Sequence, residues 1–286
     1  MSEGIAILTD TNSGLTTEEA KQLGVYLVAM PVIINDVTYF ENESFSQEEF
    51  FEYLHQESNI STSQPAPGIL MDCWENLLTC YNEVLYIPMS SGLSGGCQTA
   101  KMLAEEYDGR IYVVDNHRIS VTLRQSVLEA KYLISQGKTA CEIASYLEQD
   151  GLESSIYIAV NTLEYLKKSG RVTAAGAAVS TILNIKPVLQ IQGGKLDAYR
   201  KVRGMRQAMQ AMIEGLKQDQ ANRFPDQKLV IRAVYSGDTK LGAIWRDTLQ
   251  NAFPDISVGM DALPISICCH TGEGALGVGM MKDILD

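Results

Sequence analysis

Short apolar runs alternating with amphipathic helical stretches predict an α/β protein built on a parallel sheet covered on both faces. Two observations carry this for the first half of the chain. Ile5-Ala6-Ile7-Leu8, Val84-Leu85-Tyr86-Ile87 and Ile111-Tyr112-Val113-Val114 are brief buried-type runs that end in polar residues. Between them, Thr16 to Glu19, Ser46 to Glu49 and Thr139 to Glu142 have the spacing of a capping box, in which a hydroxyl and a glutamate satisfy the free N–H groups that open a helix. A third observation divides the chain. Past residue 150, Gly193-Gly194 separates Val188–Ile191 from Ala198–Val202 and reads as a hairpin turn. The second half therefore holds antiparallel pairing, and a boundary near 150–155 divides the chain into units 1–153 and 154–286.

The elements follow in order. The first strand ends at Thr9-Asp10, and the first capping box opens a short helix. Val25 to Met30 and Val32 to Ile34 read as extended, and the second box opens a helix through Phe50, Phe51 and Leu54. Pro67 suits the first turn of a helix running through Trp74 and Leu78. The strand at Val84 leads through a Gly/Ser loop into a helix through Ala100, Leu103 and Ala104. The strand from Ile111 to Asp115 comes next, and the third box opens a helix to about Leu147. The second half reads as a strand at Ile156 to Val160, a helix around Leu163 to Lys167 and a small-residue helix from Val172 to Ile185. After the hairpin come a Met/Ala helix at 205–217, a strand at Leu229 to Tyr235, a helix at 239–251, and strands at 256–260 and 265–269.

Composition excludes several functions. With 45% hydrophobic and 20% charged residues, the 286-residue chain can bury a core and is not disordered. Lys and Arg number 23 against 35 Asp and Glu, a net charge of −12 with no clustered basic face, so no nucleic-acid groove is expected. No apolar run approaches the roughly 18 residues of a membrane span, and membrane insertion is not expected. The acidic Met1-Ser2-Glu3-Gly4 start lacks the features of a signal peptide, so the expected location is the cytoplasm. The six cysteines, at 73, 80, 97, 141, 268 and 269, show no Cys-x-x-Cys spacing and read as free thiols rather than disulfides or metal ligands.

Ser90-Ser91-Gly92-Leu93-Ser94-Gly95-Gly96 is the most informative segment. It joins a strand to a helix, where free N–H groups and hydroxyls can converge on a small anion. Gly92 to Gly96 also fits the Gly-x-Ser-x-Gly nucleophile elbow, and His270 lies downstream. A serine hydrolase using Ser94 and His270 is therefore the alternative reading. Gly272 to Gly277 fits Gly-x-Gly-x-x-Gly but lacks the following strand and ribose-binding acid, and no complete Gly-x-x-x-x-Gly-Lys-Ser/Thr phosphate loop is present. Thr62-Ser63-Gln64-Pro65 reads as a polar connector between helices, and His270 as a residue at a strand end, where sites collect in α/β sheets. Leu166 to Arg171 and Lys201 to Arg206 are the densest basic stretches.

Together these segments resemble the DegV family of bacterial fatty-acid-binding proteins. The resemblance rests on Thr9-Asp10-Thr11, Thr62-Ser63-Gln64-Pro65, Ser90 to Gly95, and Val114-Asp115 with Ser120. It continues through Leu163 to Arg171, Asn184-Ile185-Lys186-Pro187, Lys201-Val202-Arg203-Gly204, and His270 to Gly277. It implies a two-domain fold, Rossmann-like at the N-terminus with a mixed or antiparallel sheet at the C-terminus, holding one long-chain fatty acid between the domains. It further implies that Thr62 and Ser94 bind the carboxylate, with His270 beside the head group. Arg171, Arg203, Gly95 and Thr271 are then head-group or partner contacts. Proteins of this type serve a fatty acid kinase whose separate subunit brings ATP, so the chain itself is expected to be a non-catalytic lipid carrier without a cofactor. Asn116, Tyr235, Glu273 and Gly96 depart from the family's usual residues.

Overall fold

The computed structural model describes residues 4–41, 45–173, 185–192, 194 and 196–285. The first half runs β1 (Ile5–Asp10), α1 (Thr17–Leu23), β2 (Tyr26–Val28), β3 (Pro31–Ile34), β4 (Val37–Phe40), α2 (Gln47–His55) and β5 (Ile60–Thr62). It continues with α3 (Pro67–Leu78), β6 (Glu83–Ile87), α4 (Gly96–Ala104), β7 (Ile111–Val113), α5 (Val121–Ser135) and α6 (Ala140–Asp150). The second half comprises β8 (Ser154–Ala159), α7 (Glu164–Ser169), β9 (Ile185–Ile191), β10 (Leu196–Arg203), α8 (Gly204–Asn222) and β11 (Leu229–Tyr235). It ends with α9 (Thr239–Ala252), β12 (Val258–Ala262), α10 (Ile265–Thr271) and β13 (Leu276–Lys282).

The α/β class holds. In the N-terminal domain four parallel strands lie in the order β2-β1-β6-β7. Alternate residues of β1 and β6 point to opposite faces, so each strand needs apolar side chains throughout. Ile7, Leu85 and Ile87 pack on Leu123 and Val127 of α5 and Ile143 of α6. Ala6, Leu8, Val84 and Tyr86 pack on Leu70 and Trp74 of α3 and Ala100 of α4. All three predicted capping boxes form, at Thr16–Glu19, Ser46–Glu49 and Thr139–Glu142. Pro67 occupies the first turn of α3. A small antiparallel sheet, β4-β3-β5, sits beside the main one.

The C-terminal domain has a six-stranded mixed sheet, β10-β9-β8-β13-β11-β12, in which only the β11–β12 pairing is parallel. Tyr157 and Ala159 point to one face, against Met212 and Leu216 of α8 and Trp245 of α9. Ile156 and Ile158 point to the other, toward Ile119 and Val121 of the N-terminal domain. Val188–Ile191 and Ala198–Val202 pair antiparallel, as the hairpin reading required. Gly193 itself, and most of the helix expected from Val172 to Ile185, lie outside the described residues.

One expectation is overturned: Ile265 to Cys269 is not a strand but most of α10. Its β-branched and sulfur-bearing residues favour extended structure locally. Pro264 and a buried acceptor for the Ile265 N–H start a helix there instead. The strand in this region is β13, whose two glycines, Gly277 and Gly279, hid it from a periodicity reading.

A buried charge cluster braces the loop between β7 and α5. The Arg118 side chain is fully buried. Its guanidinium donates to Glu129 at 3.2 Å, to the Asp150 carboxylate at 2.8 Å and to the Asp150 carbonyl at 2.7 Å. The Arg118 carbonyl in turn accepts from the Ser90 N–H at 2.9 Å, so the brace extends to the Ser90 loop. Removing one partner of a buried ion pair strands the other charge, at a cost of about 3–5 kcal/mol. Arg118→Met should lower unfolding free energy in urea by that order, and Glu129→Leu added to it should recover part of the loss. A single variant as stable as the wild type would show that the cluster bears no such role.

Candidate functional site

Between the cavity-facing side of the six-stranded sheet and the loops of the N-terminal domain lies a cavity that, together with its opening to solvent, holds about 900 Å³ of space between atoms. Its walls are mostly apolar. Ile156 and Ile158 of β8, Ile191 of β9 and Val234 of β11 form the sheet side, opposite Met89, Leu93, Ile119 and Val121. Gly279 of β13 lies flush in this surface, since a Cβ there would stand 2.6 Å from a Val121 methyl carbon. Strand alternation supplies this lining: the residues between these isoleucines point to the helices behind.

Polar groups converge at one end. Thr62 closes β5, registered opposite Val32. His270 lies in the last turn of α10. These two residues, 208 positions apart, meet with Thr62 Oγ1 and His270 Nε2 at 2.9 Å. Ser94 also lines the cavity, and its Oγ accepts the Gly96 N–H at 3.1 Å at the start of α4. Gln64 donates to Thr99 Oγ1 of α4 at 3.1 Å, which ties the Thr62–Pro65 segment to the Ser94 loop. Burial, and secondarily the Arg171 charge, push the His270 imidazole down to about 4, so it is neutral at physiological pH. Its Nδ1 is buried with no hydrogen-bond partner among the described residues.

Arg171 and Thr271 line the same cavity. Arg171 donates to the Ser169 carbonyl at 2.5 Å, and Thr271 Oγ1 to the Ile267 carbonyl at 3.2 Å. Gly95 is exposed and stands against Gln64, where a Cβ would lie 3.5 Å from Oε1. Arg203 is not brought to the cavity: it ends β10, exposed, with its N–H donating to Gln207.

The hydrolase arrangement is not assembled. His270 Nε2 engages Thr62 rather than Ser94, and no described acid holds Nδ1. Nor do the described residues contain a group of three potential metal ligands. Cys268 and Cys269 are successive positions of a helix, both buried, rather than of the expected strand.

Residues that sequence reasoning passed over hold α10 in place. The Glu41 carboxylate, just past β4, accepts from the Ile265 N–H, from Ser266 Oγ at 3.0 Å and from Thr11 Oγ1 at 3.0 Å. Ser266 Oγ also lies 2.7 Å from Asn12 Oδ1. Thr11 of the Thr9-Asp10-Thr11 segment supplies one of these contacts to Glu41, and Asp10 accepts the Asn12 and Met89 N–H groups at 3.0 and 2.9 Å. No local pattern marks Glu41, because all its partners are distant in sequence.

Fold and site together define a two-domain α/β protein with an apolar, polar-ended cavity between its domains. The chain belongs to the DegV family, whose model, described as uncharacterised proteins, matches residues 4–283. A DegV domain-containing protein of Deinococcus radiodurans is 31% identical over 277 residues, covering 96% of this chain and 98% of the relative. The solved structure of a fatty-acid-binding DegV family protein from Thermus thermophilus superposes with a TM-score of 0.89 at 29% identity, covering 98% and 99% of the two chains. A fatty-acid-binding DegV family protein from Streptococcus agalactiae gives 0.88 at 26% identity, covering 99% and 100%.

Burial pushes the Glu41 carboxyl up to about 7 from an ordinary 4.5, against the lowering effect of its hydrogen bonds. The folded state thus holds this proton more tightly than the unfolded chain. The associated stability is complete below the unfolded value and is lost as pH rises through about 7. Acidification from pH 7.5 to 5.5 should therefore stabilise the wild type by about 1–2 kcal/mol more than Glu41→Gln, measured by urea unfolding. An equal increment in both proteins would exclude Glu41 as the group responsible.

Proposed function

We propose that this protein binds one long-chain fatty acid, such as palmitate or oleate, with the acyl chain in the cavity and the carboxylate at Thr62, Ser94 and His270. The observation that carries the reading is the Thr62–His270 pair at one end of an otherwise mostly apolar cavity. The fatty-acid-binding relatives of Thermus thermophilus and Streptococcus agalactiae, similar over nearly the whole chain, support it. With its proton on Nε2, the neutral imidazole donates to Thr62 Oγ1 and leaves the Thr62 hydroxyl hydrogen for the carboxylate. Each such bond to a charged group contributes roughly 1.5–3 kcal/mol. The acyl chain contributes more, up to about 0.8 kcal/mol per buried methylene before association costs. The head group therefore sets orientation and the chain sets affinity.

The bound carboxylate is presented to a separate ATP-binding kinase subunit that forms the acyl-phosphate, and this chain acts as the non-catalytic carrier in the cytoplasm. Units 1–153 and 154–286 close on the ligand from either side. Arg171 and Thr271 lie near the head group, while Gly95 and the exposed Arg203 offer contacts to the partner.

Native mass spectrometry of the purified protein should show a co-purified fatty acid. A protein that carries none and also ignores added palmitate and oleate rejects the proposal. Thr62→Ala and Ser94→Ala should each weaken palmitate binding about tenfold, as expected for one lost bond to a charged group. Unchanged affinity in both variants would remove the carboxylate from this end.

A further inference from the structure

We propose that the cavity contains a second polar station, close to the carboxylate end, that receives a hydroxyl on the acyl chain. The ligand class it favours is the long-chain 3-hydroxy acid. This inference rests on the fatty-acid reading above.

Asn12, Ser120 and Ser266 all line the cavity yet are only 2%, 7% and 3% exposed. They form one cluster, since the Ser120 N–H donates to the Asn12 carbonyl at 2.8 Å and Ser266 Oγ lies 2.7 Å from Asn12 Oδ1. Ser266 and His270 are four residues apart on α10 and face the same cavity. The station is therefore one helical turn, about 6 Å, from the proposed carboxylate contact.

The cluster has unspent hydrogen-bonding capacity. Ser120 sits at the N-cap of α5, where a serine hydroxyl ordinarily accepts a helix N–H. Here its side chain makes no capping bond, and its backbone has φ of 56°. Among the described residues its hydroxyl has no partner. Asn12 Oδ1 shares the single Ser266 hydroxyl hydrogen with Glu41, whereas Nδ2 gives one hydrogen to the Met89 sulfur at 3.1 Å, a weak acceptor, and keeps the other. The wall thus offers an N–H donor and a hydroxyl that can donate or accept.

An unsubstituted methylene chain would leave both groups unpaired, which is the costly arrangement for buried polar atoms. A ligand hydroxyl can accept from Asn12 and exchange a hydrogen bond with Ser120. A site built for a hydroxyl discriminates strongly against the analogue lacking it. The spacing selects a hydroxyl within the first few carbons. The rest of the lining is mostly apolar, with residues such as Ile156, Ile158 and Ile191, whose side chains offer no partner to a hydroxyl farther along the chain.

Calorimetric titration of the delipidated full-length protein with palmitate, 3-hydroxypalmitate and 12-hydroxystearate tests this. The 3-hydroxy acid should bind at least as tightly as palmitate, and 12-hydroxystearate about tenfold more weakly. Ser120→Ala, and Ser120→Gly, which also relieves the positive φ, should weaken 3-hydroxypalmitate about fivefold to tenfold and palmitate less than about twofold. The wild-type comparison stands even where a variant fails to fold. A 3-hydroxy acid that binds about tenfold more weakly than palmitate overturns the station. Equal shifts for both ligands in both variants overturn it too. If none of the three acids binds, the fatty-acid reading fails, and the station fails with it.

Discussion

The site depends on how α10 begins. A helix start leaves N–H groups without intrahelical partners, and burying them without acceptors is costly. Glu41 resolves this by accepting from Ile265 N–H and Ser266 Oγ, and it also takes the Thr11 hydroxyl from the loop after β1. One carboxylate thus joins the small sheet, the N-terminal domain and the helix that carries His270. Because burial raises its pKa to about 7, the joint is held near the point of protonation rather than as a fixed charge. From that start, four residues of helix bring His270 against Thr62.

On the proposed reading, the polar end also explains how an acidic protein can be suited to an anionic ligand. A net charge of −12 acts over the whole surface, whereas one buried carboxylate responds to the few groups around it. On the proposed reading those groups are the Thr62 and Ser94 hydroxyls, the neutral His270 imidazole and the half-buried Arg171. Hydroxyls and a neutral ring carry a smaller desolvation cost than lysines would.

Much of the fold was legible because its signals are local. Each capping box needs only residues three positions apart, and all three formed. The buried runs at Ile5, Val84 and Leu229 were legible as strands from their short length and their β-branched residues. The failures have the opposite character. Ile265 to Thr271 is helical through Pro264 and a carboxylate 224 residues away. Helix α5 went unmarked because Ser120 does not cap it. Strand β13 went unmarked because Gly277 makes room for Val234 of the adjacent strand and Gly279 for Val121 across the domain contact.

By itself, then, the sequence determined the α/β class, the parallel main sheet of the first half, the antiparallel hairpin and the kinship carried by eight ordered segments, since each depends on neighbours along the chain. It also named Thr62, Ser94 and His270, but not their meeting. Tertiary structure alone decided that Thr62 and His270 touch and that Arg118 braces the Ser90 loop. It also left Arg203 outside the cavity. The physical reason is that these outcomes turn on buried polar groups finding partners across the chain, and such a partner leaves no trace in the spacing of nearby residues.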